Sequence, residues 1–300
     1  MLDLQKLRVL RELKHRGTLA AVARALSYTP SAISQQLSML EAEVGAPLRE
    51  QSGRGVRLTA QAEILVAHTE IVLEQLERAE AELAASMEEI AGTVRLACFQ
   101  TAALAVLPAA LAQLQRTHPR LRVETTQVEP EHALPKLMTR DFDLVVAEEY
   151  PYDAEARQPN LERRELCVGS MRLALPPPSV AVSDRAALRR AAALPWIMEP
   201  VGTAARRWAM ALCREAGFEP DVRFETTDVN AHLRCVQQGH AVALLPDLLW
   251  QGKPPTLNLY ELPQGWGYRR IVTAVRKGGG QQPAIRLCHE ALEAALPGPR

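Results

Sequence analysis

Thr29, Pro30, Ser31, Ser34 and Gln35 are a run of short, neutral hydrogen-bonding side chains at the start of a helical pattern. Thr-Pro is a strong helix start: the threonine oxygen can accept from a free backbone N–H, and proline fits the first helical position without losing a bond. Ile33, Leu37, Leu40 and Val44 then recur at spacings of four, three and four, which predicts a helix over residues 30–44 with one apolar face. Ser31, Ser34, Gln35 and Ser38 fall on the other face. Small donors and acceptors there suit close approach to base edges and phosphate oxygens in a major groove, whereas a merely solvated face would carry more Glu and Lys. An ordinary three-helix bundle with a serine-rich surface has the same periodicity, so the pattern alone leaves both readings open.

The elements around that helix are local in origin. Leu4, Leu7, Leu10 and Leu13 make one apolar stripe on a first helix, which Gly17 can end and after which Thr18 can cap a second. That second helix is short and alanine-rich and buries Val22, Ala23 and Leu26. Beyond Gly45, Gly53 and Gly55 flank Arg54 ahead of a β-capable run, predicting a hairpin whose Arg54 and Arg57 would lie along a phosphate backbone. The chain's formal net charge of zero conceals a division. Residues 1–58 hold nine Lys/Arg against five Asp/Glu, residues 59–90 one against eight, and residues 91–300 25 against 22. Only the first segment combines small size with a basic excess, the footprint of phosphate contact.

The run TLAAVARALSYTPSAISQQLSMLEAEVGAPL, continued by GRGVRLT, resembles the N-terminal domain of LysR-type transcriptional regulators. The resemblance implies a winged helix-turn-helix in which residues 29–36 enter the major groove of double-stranded DNA. It makes Thr29, Pro30, Ser31, Ser34 and Gln35 contacts, with Arg54 and Arg57 on the wing. The chain departs from the family where Arg49, Gln51 and Ala62 stand in place of the frequent Phe, Arg and Gly.

From Leu58 through Ala62, Leu65, Thr69, Val72, Leu76, Ala79, Leu83 and Ser86 to Ile90, a four-three alternation runs for about four heptads. This predicts a linker helix over 59–90 whose stripe a second copy of itself could cover, although packing on the chain's own sensing domain would also cover it. The resemblance favours dimers, implies tetramers, and with two-fold symmetry implies an operator that is an interrupted inverted repeat.

Past Gly92, strand and helix signals alternate, and the pattern restarts near Leu166, which argues for a multidomain chain ending in a two-lobed α/β domain with parallel strands. The domains expected are 1–58, 59–90 and 91–300, with lobe I at 91–165 and 268–300 and lobe II at 166–267. Ligands in such sheets bind beyond the carboxyl ends of strands. Those ends supply Gln100, Thr101, Gln127 and Glu148 from the first lobe and Gly202, Thr203 and Thr227 from the second. Thr101 and Thr203 sit at predicted helix starts, where they could cap the helix or meet a ligand. Glu148, Glu149 and Glu199 could draw a cationic or amphoteric ligand, or be solvated rim positions. The segments LMTRDFDLVVAEE and TTDVNAHLRCVQQGHAVALLP resemble the family's effector-binding domain, which is similar to periplasmic binding proteins. A small-molecule effector follows from that resemblance; its identity does not.

No GxSxG, HExxH or P-loop is present, and His118, His132, His232 and His240 lie in unrelated settings, so no enzyme, cofactor or metal is expected. Five scattered cysteines without CxxC spacing read as buried free thiols. No apolar run reaches the ~20 residues of a membrane span, and the N-terminus is charged throughout, so the expected location is cytoplasmic with no membrane partner. RNA polymerase is a further partner that the family suggests. A ligand-independent architectural DNA-binding protein and a solute-binding module remain as alternatives.

Overall fold

The computed structural model describes residues 1–52, 55–153, 158–177, 183–250 and 254–296. It divides into two compact units, residues 1–86 with 276–282, and residues 87–275 with 283–300. The linker helix thus belongs with the N-terminal unit instead of standing as a piece of its own.

The first unit holds α1 (Leu4–Arg16), α2 (Leu19–Ala25), α3 (Pro30–Val44), β1 (Arg49–Ser52), β2 (Gly55–Leu58) and α4 (Ala60–Ala85). Its boundaries are chemical. Gly17 and Gly45 end α1 and α3 in the left-handed conformation, at φ of 71° and 72°. The Thr18 and Thr29 hydroxyls accept from the amides of Ala21 and Ala32, each at 3.2 Å. Leu10, Leu13, Val22, Ile33, Leu37 and Leu40 close one core beneath the three helices. β1 and β2 pair antiparallel, Arg49 with Leu58 through Ser52 with Gly55. Arg54, the expected tip of that hairpin, lies outside the described residues.

The seam along α4 differs from expectation in two ways. The helix stops at Ala85, with Ser86 as its C-cap, so Ile90 is not on it. The stripe also divides. Ala62, Val66 and Thr69 are buried where α1 packs on α4, and the Thr69 hydroxyl is satisfied by the Leu65 carbonyl at 2.7 Å. Val72 (45%), Leu76 (39%) and Leu83 (62%) stay exposed. Part of the apolar pattern that reads as one dimer seam therefore serves the unit's own core.

A short 3-10 turn, Gly279–Gln281, lies within the first unit, with Gly278 at its start. Gly278 adopts φ of 90° against α4, and a Cβ there would stand 2.5 Å from the Glu74 carbonyl oxygen, a position only glycine fills.

The second unit runs β3 (Gly92–Cys98), α5 (Gln100–Ala105), α6 (Leu107–Thr117), β4 (Leu121–Gln127), α7 (Pro130–Met138), β5 (Leu144–Glu149), β6 (Leu161–Ala174), α8 (Asp184–Ala191), β7 (Pro195–Met198), α9 (Ala204–Glu215), β8 (Asp221–Glu225), α10 (Val229–Gln237), β9 (Ala243–Pro246), β10 (Leu259–Glu261), β11 (Tyr268–Arg276) and α11 (Pro283–Ala294). β3 pairs parallel with β4 and β5, and β7 with β8. The sheet is nonetheless mixed. β11 runs antiparallel to β5, and β6 antiparallel to β9 and β10. The reason is connectivity: β6 and β11 carry the chain between two lobes. β6 places Leu166 in the first lobe's core and Met171 and Leu173 in the second's. Among the described residues no helix is long and apolar enough to cross a membrane.

Candidate functional site

Two surfaces bring the chemistry-bearing residues together. On α3, Thr29, Pro30, Ser31 and Gln35 are exposed, and the Thr29 and Ser31 hydroxyls are bonded at 2.9 Å. Ser34 is held from the hairpin side. Arg49 of β1 donates to the Ser34 hydroxyl at 3.2 Å and to the Ser38 hydroxyl at 2.8 Å, and its Nε stands 3.6 Å from Glu41. The arginine that replaces the family's Phe thus ties the hairpin to the polar face of α3. Arg57 of β2 is exposed.

In the second unit, strand ends of both lobes enclose a cavity of about 60 Å³. Of the expected residues, Gln100, Thr101, Glu148 and Thr227 line it. Gln127, Gly202 and Thr203 do not. Gln127 is exposed at the end of β4, and the Gly202 carbonyl accepts from Arg207 at 2.9 Å. Thr203 caps α9, its hydroxyl accepting from the Arg206 amide at 3.2 Å. For Thr203 the capping role wins, because that oxygen is already committed to the helix end.

The residue at the centre of the cavity wall was not legible in sequence. Arg269 of β11 is 3% exposed. It donates to Glu148 Oε2, donates to the Thr101 hydroxyl at 2.7 Å, and lies 5.1 Å over the Phe99 ring. Burial is the largest influence and opposes its charge, but Glu148, Tyr150 and Glu199 together outweigh it and hold the guanidinium above its ordinary pKa. Tyr150 donates to the other Glu148 oxygen at 2.8 Å and stacks on Trp208 at 4.9 Å between ring centroids.

Two more carboxyls, Glu129 and Glu199, line the same space. Burial, then repulsion from Glu148 and Glu131, pushes Glu129 up to about 7, and burial with repulsion from Glu148, Glu129 and Glu131 raises Glu199 as well. Both groups hold a proton more tightly in the folded chain than in the unfolded one. Their contribution to stability is therefore complete below the ordinary carboxyl pKa and is lost as pH rises through about 7 and beyond. Thermal unfolding of the ligand-free protein should show the melting temperature falling steadily between pH 6 and pH 9. Glu199→Gln should flatten that slope, and an unchanged slope in the variant would remove Glu199 as its source.

The lobes are also pinned at two helix starts. Gln100 donates to Asp228 at 2.8 Å and accepts from the Val229 amide at 2.6 Å, so it occupies the N-terminus of α10. Glu131 of α7 accepts from the Ala204 amide at the N-terminus of α9. Helix starts of this kind otherwise attract anionic ligands; here the chain's own polar groups fill them.

The family model described as "LysR substrate binding domain" matches residues 87–297, and the one described as "Bacterial regulatory helix-turn-helix protein, lysR family" matches residues 4–63. The chain belongs to the LysR family. It is a LysR-type transcriptional regulator, with a DNA-binding helix-turn-helix and an effector-binding domain, and not an enzyme. This LysR-type chain is 25% identical to the uncharacterized HTH-type transcriptional regulator YusT of Bacillus subtilis over 93% of its own length and 92% of YusT. It is 26% identical to the HTH-type transcriptional activator IlvY of Salmonella typhimurium, over 84% and 85% of the two chains. A full-length OxyR variant from Pseudomonas aeruginosa shares the fold at a TM-score of 0.61, 18% identity, and coverage of 97% and 95%. CbnR, solved with its target DNA, superimposes at 0.51, with 20% identity and coverage of 98% and 99%.

The cysteines of this LysR-type regulator are all free. Burial pushes the Cys98 thiol up to about 11 and those of Cys213 and Cys288 up to about 12. Thiols held protonated in this way are poor nucleophiles.

Proposed function

We propose that this regulator binds an interrupted inverted repeat in promoter DNA as a homodimer, with dimers pairing into tetramers, and that a small effector in the cavity of the second unit controls it. The observation that carries the reading is the apolar stripe Val72, Leu76 and Leu83, exposed on α4 of a unit whose α3 presents Thr29, Pro30, Ser31 and Gln35 to solvent. A stripe of that length on a soluble helix calls for a second helix, and two-fold pairing duplicates the reading surface. The protein acts in the cytoplasm, where it meets the promoter and RNA polymerase.

On this reading Thr29, Pro30, Ser31 and Gln35 approach the bases. Ser34 works with Arg49 to orient the hairpin, and Arg54 and Arg57 follow the phosphates. Gln100, Thr101, Glu148 and Thr227 meet the effector; Thr203 acts by capping α9, and Gln127 and Gly202 stand off the lining. The effector shifts the balance between lobe arrangements that the Gln100 and Glu131 bonds hold together, by no more than its preference for one of them, typically about 1–3 kcal/mol.

Selection from random DNA should return a two-part symmetric motif, and light scattering should give at least twice the chain mass. Gln35→Ala should then relax base preference at one position of each half-site. Arg57→Ala should weaken all sequences alike and lower the slope of log affinity against log salt by about one. A selected site without two-fold symmetry would overturn the dimeric reading.

A further inference from the structure

The cavity has an unequal set of charges. Glu129, Glu148 and Glu199 line it, and the one cation on its lining among the described residues is Arg269, already bonded to Glu148 and Thr101. An anion would meet two carboxyls with no counter-charge. It would also find the starts of α9 and α10 taken by Glu131 and Gln100. The opposite demand comes from Trp208. It lines the cavity at 2% exposure, and its indole N–H has no hydrogen-bond partner among the described residues. A buried donor left unmet costs free energy that a ligand acceptor recovers. The same ring stacks with Tyr150, so its aromatic surface belongs to a wall that attracts cations. At roughly 10–15 Å³ per water, about 60 Å³ is room for only a few heavy atoms.

We infer that the effector is a small organic ammonium ion that also carries a hydrogen-bond acceptor, its cation lodged between Glu129 and Glu199 and its acceptor on the Trp208 indole N–H. The inference rests on the effector reading above and names the chemistry of that site. It has a linked signature. The titratable groups facing the two carboxyls are Glu131, Glu148, Tyr150, His232 and Arg269; burial first, and then repulsion from the acids among them, keeps Glu129 and Glu199 partly protonated when the cavity is empty. An incoming cation stabilises their ionised forms, so binding expels a proton and tightens as pH rises.

Calorimetry on the full-length protein, in two buffers of different ionisation heat at pH 6 and pH 7, tests this with ethanolamine, glycine and ethylammonium. Acetate, acetamide and magnesium chloride are the comparison set. Ethanolamine or glycine should bind with release of about one proton and about tenfold tighter at pH 7 than at pH 6. The comparison set should give no heat of binding. Trp208→Phe should weaken ethanolamine several-fold while leaving ethylammonium unchanged. Glu199→Gln should weaken every ammonium probe at least tenfold, and Glu129→Gln serves the same purpose if the first variant does not fold. Binding of acetate or magnesium in preference to the ammonium probes, or ammonium binding without proton release, would overturn the inference. So would silence from every probe in a wild-type preparation that still binds its selected operator, and that outcome leaves the regulatory reading intact. Failure of the ligand-free wild type to bind any DNA would instead strike at the regulatory reading.

Discussion

Replacing Glu148 by leucine should destabilise the second unit by about 3–5 kcal/mol at pH 6, the range for stripping one partner from a buried ion pair. The Glu148 carboxylate is the hub of the cavity wall. One oxygen accepts from Arg269 and the other from Tyr150, and both ionic partners are almost wholly shielded, with side-chain exposures of 4% and 5%. Leucine fills similar space but strands the guanidinium and the phenol together. Urea unfolding followed by tryptophan fluorescence reads the effect, since Trp196 and Trp208 belong to the second lobe's core. Combining Glu148→Leu with Arg269→Met should recover most of the loss, because the penalty lies in the unpaired charge and not in the absence of the bridge. A single variant within 1 kcal/mol of wild type would show that the pair is solvated after all. The double variant should nevertheless respond to no effector, having lost the arginine that positions Thr101.

Val72→Glu combined with Leu76→Glu should convert the regulator to a monomer and lower its operator affinity by about 100-fold or more, because two linked half-site contacts gain about 10²–10⁴ over one. Both side chains are exposed in the single chain, at 45% and 39%, so the protomer itself should lose little stability. Mass by light scattering and titration of the selected operator, at one stated salt concentration, check the two halves of the expectation. Ala62→Glu would be the wrong test. Ala62 is fully buried in the unit's own core, so that variant would unfold the reader instead of separating the dimer.

What the sequence determined by itself was local. Thr29 with Pro30, Gly17 with Thr18, and Gly45 set helix ends through bonds reaching three or four residues, and such bonds depend on the neighbouring side chains alone. The apolar face of α3 and the strand-helix alternation after Gly92 are likewise periodicities readable over one element. The tertiary structure decided matters of long sequence separation. Arg269 lies 121 residues from Glu148 and 168 from Thr101, and nothing in its own neighbourhood distinguishes it from Arg270 beside it, which is 44% exposed on the strand's other face. The α4 stripe shows the complementary effect: burial against α1 and exposure to solvent have the same period, so only packing separates Thr69 from Val72. The polar face of α3 was therefore visible in the chain, while the charge of the cavity emerged only when β5, β11 and the end of β7 met, because electrostatic energy depends on distance in space and not along the sequence.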